Sequence, residues 1–130
     1  MANFGEVHYL ALKAGADLST KQFLFMKMSA DMTCTTNDAG TNASIGVLAD
    51  KPYAATGVAV SVATIGVFKV YAGGTVTAGN LVGSDTAGKA VALTPGTDTT
   101  KYICGTALTG GAANEIITVL LNCASPTRAA

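Results

Sequence analysis

Histidine, cysteine and carboxylate side chains carry most acid–base, nucleophilic and metal chemistry. His8 is the single histidine. It stands beside Tyr9 with no acid or nucleophile motif around it, so it reads as a surface or interface residue. The acids Asp17, Asp31, Asp38, Asp50, Asp85 and Asp98 are spread along the chain, mostly in predicted turns. Short carboxylates there hydrogen-bond nearby backbone and hold turns, and none of them forms the alternating set a calcium loop needs. Cys34, Cys104 and Cys123 lack a short paired spacing. Their odd number argues against a disulfide scaffold and fits synthesis in a reducing cytoplasm, with the three thiols acting as small buried hydrophobes. The glycine-rich run Gly105-Thr106-Ala107-Leu108-Thr109-Gly110-Gly111 lacks the Lys-Ser/Thr of a phosphate loop. Lys89 follows a turn, as a modified lysine does in carrier domains, but Gly88 and Ala90 flank it where acidic or Met neighbours are wanted. The expectation is therefore no catalytic residue, no metal site, no cofactor and no small-molecule substrate: not an enzyme.

The residues that remain must act through surface. Eight Lys and Arg balance eight Asp and Glu, and only 12% of residues are charged. Such a chain has no electrostatic footprint for nucleic acid and little for an anionic membrane surface. Apolar stretches fall well short of the ~18 residues a membrane helix needs, and the N-terminal MANFGEVHYLALKAGADLS does not read as a secretory signal. With 49% hydrophobic residues and so little charge, part of the surface is expected to be covered by partners, which points to an oligomer or an assembly component.

At 130 residues the chain forms one domain that buries roughly two-thirds of its unfolded surface. Its grammar is that of short strands and tight turns. Val58, Val60 and Val62 alternate with Ala59, Ser61 and Ala63, a period of two. Val67 to Tyr71 follows Gly66 as a second run, then Gly73-Gly74 and Gly79-Asn80 break the chain around Thr75-Val76-Thr77. Further strands are predicted over Gln22–Ser29, Met32–Thr36, Ile45–Leu48, Lys89–Leu93, Tyr102–Leu108 and Glu115–Asn122. Glu115–Asn122 is apolar on both faces, so it is central or covered by another chain. The fold class is all-β: a small barrel or sandwich, β-tulip-like or jelly-roll-like, of nine or ten short strands. The predicted divisions are an N-terminal arm over 1–16, partly extended, a β domain over 17–124 and a polar, fraying tail over 125–130.

One series of signals is familiar. Asp17-Leu18-Ser19 with Gln22-Phe23 is followed by Gly46-Val47-Leu48 and Lys51-Pro52. Gly66 with Lys69-Val70, Ala72-Gly73-Gly74 and Val76-Thr77-Ala78-Gly79 come next, then Ser84-Asp85 with Gly88-Lys89-Ala90-Val91. This order, from about Ala14 to Leu121, resembles the tailed-phage capsid decoration (cement, head-stabilising) proteins. Asn80 departs from the aspartate expected there, Ala49-Asp50 from the more usual polar pair, and Tyr53-Ala54-Ala55-Thr56 lengthens the approach to Gly57. The resemblance implies a β-rich virion protein, made in the host cytoplasm. It would bind the outer surface of an icosahedral shell, with the major capsid protein as partner, as a homotrimer. It transfers no catalytic residues.

On that reading the arm from Ala2 to Leu12 is the expected shell contact, through Asn3, Phe4, His8, Tyr9 and Leu10, added as an edge strand to a capsid sheet. A strand of the protein's own barrel is the competing use of the same residues. The alternative function is a carbohydrate- or receptor-binding β-module on a virion or cell surface, for which Tyr53, Tyr71 and Tyr102 are the stacking candidates.

Overall fold

A computed structural model describes residues 7–130. Within them are eleven strands and no helix: β1 (His8–Ala14), β2 (Phe25–Ala30), β3 (Thr33–Thr36), β4 (Gly46–Leu48), β5 (Ala59–Tyr71), β6 (Leu81–Ser84), β7 (Ala90–Leu93), β8 (Tyr102–Ile103), β9 (Gly105–Ala107), β10 (Ile116–Asn122) and β11 (Thr127–Arg128). The all-β expectation holds. Nine strands form one mixed sheet in the order β1-β3-β2-β4-β5-β10-β9-β6-β7, while β8 and β11 make a separate pair. The large sheet does not close into a regular barrel. Its first five strands nevertheless form a hydrogen-bonded cycle, because β1 pairs antiparallel with β5 as well as parallel with β3. The described part of the predicted arm is thus a wall of the body.

Two apolar cores lie on opposite faces of a shared wall. In β2, β4 and β5 neighbouring residues point opposite ways, as the period of two requires. Met26, Leu48 and Val62 enter the ring interior with Leu12, Ala14, Leu18 and Cys34. Phe25, Val47 and Ala63 enter the second core, with Val70, Val82, Ile117, Val119 and Leu121. A wall used on both faces explains why these strands show apolar residues at successive positions.

Gly66 does not end the strand, contrary to expectation. The β5 strand runs on for 13 residues but bends sharply. Leu48 pairs with Val62 and accepts the Phe23 N–H at 2.8 Å, and Phe23 accepts the Tyr71 N–H at 3.1 Å. Three such lateral steps of ~4.8 Å hold Val62 and Tyr71 within ~15 Å, whereas nine extended residues would span ~30 Å. The bend is made where the β1 register shifts and Gly66 adopts φ +118, a conformation glycine alone enters cheaply. From Ile65 onward β10 is the partner, from Asn122↔Ile65 to Ile116↔Tyr71.

Three other expectations are corrected. Tyr102–Leu108 splits at Cys104, which turns into the second core. Thr75–Thr77 makes only an isolated bridge, Val76 to Gly111. The C-terminal segment docks instead of fraying: Thr127 and Arg128 pair with Ile103 and Tyr102, Arg128 lies 5.3 Å from the Tyr102 ring centre, and Ala129 is buried.

The predicted turn chemistry is present. Asp85 accepts the Ala87 and Lys89 N–H groups at 2.8 and 2.9 Å and closes the β6–β7 hairpin. Asp98 accepts the Thr94 N–H at 2.7 Å. Asp17 accepts from the Ser19 hydroxyl and N–H, which hold its carboxyl below the usual range. Asp50 ties its loop to β5 through the Ser61 N–H.

Candidate interaction surface

The side chains with chemical potential stay apart. His8 is exposed on β1, and Asp17, Asp85 and Asp98 are engaged in turns. Asp38 meets the Lys27 ammonium at 2.8 Å, which holds its carboxyl below the usual range. Lys89 donates to the Asn114 side chain. Among the described residues no group of three or more His, Cys, Asp or Glu could hold a metal ion, and no helix is long and apolar enough to cross a membrane. The three tyrosines do not share a platform. Tyr53 stands on an exposed loop, Tyr71 packs beside Phe23, and Tyr102 lies under Arg128; each lines a different cleft.

Of the predicted shell contacts, Asn3 and Phe4 lie outside the described residues. His8, Tyr9 and Leu10 sit together at the start of β1, all exposed. Tyr9 is held edge-on against Phe68, with ring centres 6.2 Å apart, and Phe68 continues to Phe23 at 5.9 Å. One edge of β1 serves β5 through even-numbered residues, as in Ala14 N–H to Val58. Lys13 points the other way, donating to Met32 at 2.8 Å. By the same alternation the backbone of Ala11 and Tyr9 faces outward, where no strand pairs with it among the described residues. This is an open sheet edge, able to take another strand.

A second surface lies on β10. Ile117, Val119 and Leu121 fill the core, while Ile116 and Leu120 are 46% and 48% exposed. Leu120 lies opposite Val67 on β5 and Thr106 on β9. Ile65, opposite Asn122, and Leu108 extend the patch and are also exposed. Lys69, opposite Thr118, is the one charged residue among these pairings. A groove of about 370 Å³ borders the patch, lined by Phe23, Ala49, Val67, Phe68, Lys69 and Thr118. Phe23 holds φ +66, a left-handed backbone costing ~1–2 kcal/mol and fixed by its hydrogen bonds to Leu48 and Tyr71. Contiguous apolar faces of this kind mark interaction sites on soluble proteins. The two-sided apolar pattern of Glu115–Asn122 signalled the surface, but which residues point outward and what flanks them depends on pairings with β5 and β9.

No protein-family model matches the chain, and no curated protein sequence does. A solved structure does match: the head fiber gp8.5 N base of bacteriophage phi29, with a TM-score of 0.66 and 14% sequence identity. The likeness covers 95% of this chain and 99% of that one. The two chains share a fold over almost their full length.

Proposed function

We propose that this chain is a structural protein of a phage particle. It mounts on the outer surface of an icosahedral head, binds the major capsid protein and stabilises the shell. The observation that carries this reading is the near-complete fold likeness to a phage head fiber base. The decoration-protein pattern from Ala14 to Leu121 supports it independently.

Two surfaces divide the work. The apolar outer face of β10 joins copies into a homotrimer, and the open edge of β1 meets the shell. A chain of zero net charge can crowd on one shell without long-range repulsion. Trimerisation raises the effective concentration of the remaining contacts once one is made, so avidity exceeds single-site affinity by ~10²–10⁴.

Ala11→Pro tests the shell contact. Proline removes one outward N–H and is tolerated on edge strands, so the β1–β5 ladder is spared. Binding to protein-free heads in a sedimentation assay should weaken at least ~10-fold, with the melting temperature nearly unchanged. Undiminished binding by the folded variant would remove β1 from the contact.

A further inference from the structure

Two of the three buried cysteines lie together. Cys104 and Cys123 belong to the same core cluster and stand on the paired strands β9 and β10 or just beyond them. Leu121 lies opposite Gly105, and the Asn122 N–H donates to the Cys104 carbonyl at 2.9 Å. That register sets Asn122 opposite Cys104, so Cys123 is offset by one residue, yet both cysteines enter the same core because each stands where its strand ends. The Cys123 S–H donates to the Cys104 carbonyl at 3.7 Å. Cys34 lies in the other core and has no such neighbour.

We propose that Cys104 and Cys123 form a latent disulfide, a modification site that closes when the folded protein meets a small peroxide. Cys123 lines a cleft of about 500 Å³ between the 41–45 loop and the C-terminal segment, with Ser44, Tyr102 and Pro126 beside it. A peroxide is small enough to enter by that route. Cys123 is the nucleophile, because it lines the cleft and meets the peroxide first, while Cys104 lies behind it in the core.

The steps balance. Cys123 loses its proton to solvent, and its thiolate attacks one peroxide oxygen. The O–O bond breaks, hydroxide leaves and takes up a proton, and Cys123 becomes a sulfenic acid. The Cys104 sulfur then attacks the Cys123 sulfur. The S–O bond breaks, and water departs with the Cys104 proton. Two thiols are oxidised and one peroxide becomes two waters. The bridge would staple β9 to β10 behind the outer apolar face, in a protein synthesised with its thiols reduced.

The test treats the intact, folded protein with hydrogen peroxide and maps its thiols by mass spectrometry. No Lys or Arg lies between Lys101 and Arg128, so both cysteines fall in one tryptic peptide, Tyr102–Arg128, and Glu115 separates them. The peptide should lose two hydrogen masses. Cleavage after Glu115 should release two fragments only after reduction, and Cys34 should remain alkylatable. The oxidised protein should melt about 10 °C higher. In Cys104→Ser the sulfenic acid on Cys123 should persist and be trapped by dimedone. Exposed Met28 and Met32 report that the peroxide acted. If they oxidise while Cys104 and Cys123 stay free, or if either cysteine bridges Cys34 or another molecule, the proposal fails.

Discussion

Leu120→Asp should turn the proposed homotrimer into a folded monomer. Leu120 is 48% exposed at the centre of the β10 face, so a carboxylate there costs the isolated chain little. In an assembled interface the same carboxylate would be buried against aliphatic side chains without a partner, at a cost of several kcal/mol. A loss of ~4 kcal/mol per contact lowers each association constant ~10³-fold. Analytical ultracentrifugation should show a threefold drop in mass, and circular dichroism should show the same strand content. The neighbouring change Leu121→Asp should instead unfold the chain, because Leu121 is 1% exposed in the second core. A Leu120→Asp protein that remains trimeric would place self-association on another face.

Gly46→Ala should be as damaging as a core truncation, although it adds one methyl group. Gly46 lies in the wall between the two cores, paired with Met26 on β2. A Cβ at this position would collide with the Ala63 carbonyl oxygen and come within 2.7 Å of Val62 Cγ1 and 2.9 Å of the Ala63 carbonyl carbon. Two of these three atoms are backbone of β5, the strand that joins every part of the large sheet. They cannot move without breaking the β4–β5 ladder. Overpacking of this kind costs ~3 kcal/mol or more, a large part of the ~5–15 kcal/mol that holds a domain together. The denaturant midpoint should fall by about a fifth or more, with the slope unchanged. A midpoint within error of wild type would mean that β4 and β5 do not approach as closely as described.

Strand-and-turn grammar was open to sequence reading because it is local. The alternation at Val58–Val62, the aspartates at turns and the glycine breaks each act over a few residues. Closure was not legible. The β1–β5 and β1–β3 pairings join residues far apart in sequence, and nothing local in His8–Ala14 distinguishes a ring strand from a free arm. Gly66 misled for a related reason. In sequence it resembles the breaks at Gly73-Gly74 and Gly79, but tertiary pairing carries the strand through it and uses its positive φ for a bend. The C-terminal tail looked polar and short, and its docking depends on Tyr102 and Ile103, residues presented only after Cys104 splits a strand. Of the five residues proposed to touch the shell, His8, Tyr9 and Leu10 stand exposed at the start of β1, while Asn3 and Phe4 lie outside the described residues.

The proposed role makes this chain a fixed component of a phage head. Quantitative mass spectrometry of purified particles tests it most directly, by the ratio of this protein to the major shell subunit. A constant ratio across preparations, retained through density-gradient purification, is the expected result. Particles without the protein, or a ratio that drifts toward zero on washing, would contradict it.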